Sequence, residues 1–176
     1  MGLNQQDVDF RFCPVCGGRL ETSKPKESEP SRLVCSDCHY IFYLDPKVVA
    51  CAILEKEGKI LLLRRAIHPR KGKWVMPGGY VDRGEEVHAA AIRETEEECG
   101  LKIHLQDLVG VYSYPGRLAV VVVYEGRYLS GEPIAGDESL EAMWFSHDRI
   151  PWDDLAFQST KDALKDYCKK IKKNIL

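Results

Sequence analysis

The hydrophobic pattern of the chain changes character once. From Phe10 to about Asp45 apolar residues are scattered among four cysteines, and KPKESEPS in the middle reads as an exposed loop. After Asp45-Pro46 the stretch VVACAILEKEGKILLLRRA carries two apolar runs around Glu57-Gly58, which predicts a hairpin of buried strands. A basic loop, IHPRKGKWVMPGG, follows. Helical spacing then runs from about Glu85 to Cys99 and stops at Gly100. Further strands are predicted near Lys102–His104, Val109–Tyr114 and Leu118–Tyr128 and at AMWFS, with a terminal helix from about Asp153 to Lys172. Strands on both sides of a central helix, closed by a second helix, imply a mixed sheet between helices, in the α/β (α+β) class. The sequence holds no internal repeat, and the expected division is a small module at 1–45 and a main domain at 46–176.

Composition narrows the partners. A length of 176 residues with 44% hydrophobic content supports one well-cored domain plus an appendage. A net charge of -2 and a pI near 6.2 supply no global basic field, so an anionic ligand has to be gripped by local side chains or metal ions. A general nucleic-acid coat is disfavoured. The chain has no long uncharged apolar run, and MGLNQQDVDF places Asp7 and Asp9 where a signal peptide needs a basic start and an apolar block. The expectation is a cytoplasmic protein with no membrane partner. Seven cysteines in a reducing compartment read as thiols or metal ligands.

Their spacing separates the two. Cys13-Pro-Val-Cys16 and Cys35-Ser-Asp-Cys38 are two Cys-x-x-Cys pairs joined by a loop, the spacing of two knuckles that converge on one tetrahedral zinc. So short a segment has too little apolar content to fold without the metal. Gly17 and Gly18 suit a tight turn in which backbone N–H groups approach the sulfurs. The module resembles a zinc ribbon, with a structural or dimer-forming role favoured over nucleic-acid binding, because Glu21, Glu27, Glu29 and Asp37 interleave with its basic residues. Cys51, Cys99 and Cys168 lack partner spacing and read as small buried side chains.

The central helix carries a conflict. Setting Glu94 at zero on a wheel of about 100° per residue puts Glu98 near 40° and Glu97 near 300°, in line with Val87, Ala90 and Ala91. Glu96 alone falls on the opposite side, where a solvated acidic face belongs. Carboxylates that continue an apolar face need neutralising, and hard oxygens with no His or Cys beside them favour Mg²⁺ or Mn²⁺.

Gly79, five residues, Glu85, seven residues, then Arg93-Glu94-Thr95-Glu96-Glu97-Glu98-Cys99-Gly100-Leu101 resembles the signature box of the Nudix hydrolases at every fixed position. Thr95 departs from the usual aliphatic residue. The resemblance runs from about Pro46 to the C-terminus and implies an α/β/α sandwich with a mixed sheet. It further implies that Glu94, Glu97 and Glu98, with the Gly79 carbonyl, hold divalent ions while water attacks a pyrophosphate linkage. Glu97 or Glu98 would accept the proton, with Glu97 preferred. Arg93 would orient Glu97 and Glu85, the alternative being a surface ion pair. Glu141 matches a position where some members add a metal ligand, and a solvated glutamate is the equal alternative.

Substrate signals are thinner. Arg64, Arg65, His68, Arg70, Lys71 and Lys73 form the densest basic run of the main domain, and Tyr80, Tyr112, Tyr114 and Phe157 are candidates for stacking on a base or flavin. Pro115 stands where ADP-ribose-cleaving members carry a proline, and VYSYPGRLAVVV replaces the tract that marks NADH pyrophosphatases. The layout of FCPVCGG, YLDPKVVACAI and WFSHDRIPWDDLAF looks like the zinc-ribbon Nudix proteins that include the plant FAD pyrophosphatases. FAD and ADP-ribose lead as small-molecule substrates, each releasing AMP, and family members are commonly homodimers. RNA 5′-end or NADH hydrolysis and a nucleotide-sensing binding module are the alternatives.

Overall fold

The structure, a computed structural model, describes residues 10–174, so Asp7 and Asp9 lie outside the described residues. The chain divides into two compact units, Met1–Pro46 and Lys47–Leu176. In the first, β1 (Leu20–Ser23), β2 (Arg32–Cys35) and β3 (Ile41–Phe42) form a three-stranded antiparallel sheet. Among the described residues its apolar core is Cys13, Leu20 and Cys35, flanked by Leu33 and Phe42. A core that small does not hold a sheet together by burial alone.

The second unit is built on a seven-stranded mixed sheet. In chain order its strands are β4 (Lys47–Lys56), β5 (Lys59–Arg65), β6 (Trp74–Val75) and β7 (Gly78–Tyr80), then, after helix α1 (Val87–Cys99), β8 (Lys102–Tyr112), β9 (Ala119–Ser130) and β10 (Ser139–Ser146). Helix α2 (Gln158–Asn174) follows. The spatial order is β10-β5-β4-β9-β8, with β6 on β5 and β7 on β4; β4 and β9 run parallel and the other pairings are antiparallel.

Alternation along the central strands decides what covers each face. Ala50, Ala52 and Leu54 of β4 join Leu61, Leu63, Ala90, Ala91 and Cys99 on the α1 side. Cys51, Ile53, Ile60 and Leu62 point the other way, against Ala163, Leu164 and Tyr167 of α2. Both β4 and β5 are therefore buried on two faces, which is why their sequences read as unbroken apolar runs. Alanines on both partners let α1 settle close to the sheet, and that closeness positions its carboxylates.

Four boundaries differ from the sequence expectation. Helix α1 starts at Val87, because Glu86 is extended (φ -73°, ψ 135°) and Glu85 folds back to accept the Asp82 N–H at 3.0 Å. The two strands expected around Lys102 and Val109 are one strand, since register shifts near Leu105 and Leu108 absorb Gln106 and Asp107 without ending the pairing. The basic loop contains β6 and β7, too short to leave a periodic signal. Helix α2 begins at Gln158 because Leu155 bridges Trp74 and the Ala156 N–H donates to the Trp74 carbonyl at 2.7 Å. Only a 3₁₀ turn, Trp152–Asp154, occupies the expected start. Cys51 and Cys99 are buried, whereas Cys168 is half-buried.

Candidate metal centre on helix α1

Strand β7 lies antiparallel on β4, with Gly79 opposite Ala50, and delivers Gly78 and Gly79 to the inner face of α1. A Cβ at Gly79 would collide with the Glu94 carboxylate, so that carboxylate is packed against the Gly79 backbone. The Gly78 N–H donates to Glu98 Oε2 at 2.8 Å. Glu94 and Glu98 thus turn inward, while Glu97 remains 61% exposed at the rim. Of the three carboxylates that the wheel places on one side, Glu94 and Glu98 face β7, whereas Glu97 lines an outer groove with His88, Ala89 and Glu96.

Arg93 ties the rim together. Its Nε and Nη2 donate to the two oxygens of Glu85 at 2.8 and 2.9 Å, and Nη2 also donates to the Tyr80 carbonyl at 3.1 Å. Nη1 donates to Glu94 at 2.8 Å and to Glu97 at 3.2 Å. The guanidinium, held firmly in its charged form, pulls the Glu85 carboxyl down to about 2. One arginine cannot neutralise everything here. Burial raises the Glu94 carboxyl despite Arg93, and burial pushes Glu98 up to about 7 against the Gly78 N–H, with the charges of Glu94 and Glu138 adding to the rise. Two enclosed carboxylates with elevated pKa and hard oxygens facing a backbone cradle are the donor set that suits a divalent cation.

Glu138 was not singled out from the sequence. It lies in the loop before β10, where its carbonyl accepts the Ala66 N–H at 2.7 Å, and it acts on both Glu94 and Glu98. The signal available was an acid three residues before Glu141, with no periodicity to say which of the two faces α1. Glu141 itself accepts a hydrogen bond from Arg64 Nη1 at 2.8 Å. Of the basic run, Arg64 also donates to the Gly72 carbonyl, Arg65 donates to the Pro69 carbonyl and lies over the Phe157 ring, and Lys73 pairs with Asp154. His68, Arg70 and Lys71 are exposed. Among the aromatic candidates, Tyr112 and Tyr114 donate to Asp166 and Asp162, and Tyr80 is 60% exposed.

In the N-terminal unit the Sγ atoms of Cys13, Cys16, Cys35 and Cys38 all lie within 4.8 Å of one another. Sulfur pairs at 3.3, 3.5 and 3.7 Å approach the roughly 3.8 Å edge of a tetrahedron built on zinc–sulfur bonds of about 2.3 Å. The Val15 and Gly18 N–H groups donate to Cys13 and Cys16 at 3.4 Å each. Backbone N–H groups of Cys38 and Asp37 lower the Cys35 thiol to about 7, toward the deprotonated form a metal requires, whereas neighbouring sulfurs raise Cys16 and Cys38 despite the N–H groups of Gly18 and Tyr40.

Comparison with known proteins decides the family. The NUDIX domain model matches residues 44–167, and the Nudix N-terminal zinc-ribbon model matches residues 11–44. The chain belongs to the Nudix hydrolases. This Nudix protein is 41% identical over 132 residues to an ADP-ribose pyrophosphatase of Methanocaldococcus jannaschii, covering 73% of this chain and 76% of that one. It is 31% identical over 144 residues to the NAD-capped RNA hydrolase NudC of Salmonella heidelberg, covering 80% of this chain but only 53% of the longer NudC. A NUDIX hydrolase from Nitrosomonas europaea superposes with a TM-score of 0.86 at 37% identity over 92% of both chains. The Nudix fold, pyrophosphate hydrolysis, dependence on divalent metal and the four-cysteine zinc ribbon follow from this membership. Among the described residues no helix is long and apolar enough to cross a membrane.

Proposed function

We propose that this Nudix hydrolase cleaves the diphosphate of a molecule with an ADP half, ADP-ribose first and FAD second, releasing AMP in either case. The observation that carries the reading is the inward pair Glu94 and Glu98 against Gly78 and Gly79, with Glu97 at the solvent rim. Identity to a protein named ADP-ribose pyrophosphatase supports the substrate order, as does Pro115. The NudC relatives support a second reading, hydrolysis of an NAD-type RNA cap. Against it stand VYSYPGRLAVVV downstream of the box and a chain that spans about half of their length.

Glu94, Glu97, Glu98 and the Gly79 carbonyl would hold Mg²⁺ or Mn²⁺, which neutralise the diphosphate and acidify bound water when present. Glu97 accepts the proton of the attacking water, because it alone of the trio faces solvent. Arg93 orients Glu94 and Glu97 with one guanidinium nitrogen, leaving its other edge anchored on Glu85. Glu141 would join through the carboxylate oxygen that does not accept from Arg64. The ribbon's zinc is structural in this reading, and a homodimer and cytoplasmic residence belong to the proposal.

Turnover of ADP-ribose, FAD, NADH and NAD-capped RNA with Mg²⁺ or Mn²⁺, read as AMP or nucleotide product, tests it. AMP should appear fastest from ADP-ribose or FAD, and Glu97→Gln should lose about 10² to 10⁴ in kcat. Faster decapping than ADP-ribose cleavage would replace the substrate assignment, and full activity of Glu97→Gln would remove the proposed base.

A further inference from the structure

Three elements meet at the end of β4 remote from Gly79. Strand β4 brings Glu55, the turn after β10 brings His147, and α2 brings Tyr167 and Cys168. The Cys168 Sγ lies 3.7 Å from His147 Nδ1. On its other edge, His147 Nε2 lies 3.3 Å from Glu55 Oε2, and the Tyr167 hydroxyl donates to that same oxygen at 3.0 Å. In the tautomer with the ring hydrogen on Nε2, toward the Glu55 carboxylate, the lone pair of Nδ1 faces the thiol. The order is nucleophile, base, orienting acid. We infer that Cys168 is a thiol-modification site, activated by His147 and open to low-molecular-weight disulfides.

Neighbouring charges do not compete for the acid. Lys170 pairs with Glu125 of β9 and Asp107 of β8. The side chains of His147 and Glu55 are 32% and 29% exposed and Cys168 is half-buried, whereas Cys51 and Cys99 are 4% and 0% exposed. A metal ion does not explain the arrangement. The Cys168 Sγ and His147 Nδ1 offer a metal two ligand atoms, while the Glu55 carboxylate lies against Nε2 on the other edge of the ring. Nor does hydrolysis, because Glu55 stands five residues along β4 from Ala50, the partner of Gly79, a separation of about 16 Å.

In the exchange, the Cys168 proton passes to His147 Nδ1 and the thiolate attacks one sulfur of the disulfide. The reagent's S–S bond breaks as the new one forms, and the departing thiolate takes the proton from His147. The reagent is reduced to one thiol while Cys168 is oxidised to a mixed disulfide.

Glutathione disulfide on the zinc-loaded full chain, with adducts located by peptide mass spectrometry, is the test. At about pH 7 Cys168 should react about tenfold faster than in His147→Asn, and near pH 9.5 the two should agree within about twofold, because the thiol then ionises without a base. Glu55→Gln should fall between them, and Cys168→Ser should abolish the adduct. Should His147→Asn fail to fold, a synthetic peptide spanning Cys168 replaces it as the slow reference. Equal rates at pH 7 for the wild type and its reference, or an adduct that forms only after denaturation, would overturn the inference.

Discussion

Gly79 and Glu94 define each other. A methyl group at position 79 would meet the end of a flexible carboxylate, not the backbone, so Gly79→Ala should fold with near-normal stability while displacing Glu94. We expect metal affinity to fall about 10- to 100-fold with little change in melting temperature, measured by titration calorimetry and thermal unfolding. Glu85 makes a different prediction. Arg93 holds its carboxyl at about 2, below its ordinary 4.5, so the folded state binds that proton less readily than the unfolded chain. Its stabilisation is complete above pH 4.5 and is lost as pH falls through 2. The melting temperature of Glu85→Gln should therefore lie below that of the wild type at pH 7, and the gap should close on acidification across that window. A gap that stays constant would remove the Glu85–Arg93 pair as its cause.

At the scale of elements, α1 was legible from spacing alone, because Ala90, Ala91 and the acids recur at helical intervals and Gly100, in the left-handed region at φ 68°, ends the run. What escaped were features set by partners. The continuity of β8 depends on bulges against β9, the start of α2 depends on Trp74, and the influence of Glu138 on Glu94 and Glu98 depends on a loop meeting α1. The one departure from the family box has a local solution. Thr95 is fully buried, and its hydroxyl donates to the Ala91 carbonyl at 2.8 Å, so the polar group is satisfied within the helix. Thr95→Val removes that hydroxyl and leaves the volume unchanged; its stability should lie within about 1.5 kcal/mol of wild type by denaturant unfolding. A larger loss would mean that the hydroxyl shapes α1 beyond its own bond.

For the molecule as a whole, the two units differ in what holds them. The second has an apolar layer on each face of its sheet, whereas the first relies on four sulfurs around a few apolar side chains. Chelating zinc should abolish hydrogen-exchange protection between Phe12 and Phe42 while protection in β4, β5 and β9 persists. Loss of protection in both would show that the larger unit depends on the metal too. In the proposed function the inward carboxylates of α1 form a cage for divalent cations. Mn²⁺ binding followed by electron paramagnetic resonance tests it directly: wild type should take up at least one ion, and Glu94→Gln/Glu98→Gln should lose it together with hydrolysis. Unchanged Mn²⁺ uptake in the double variant, or wild-type turnover in a chelator, would contradict the account.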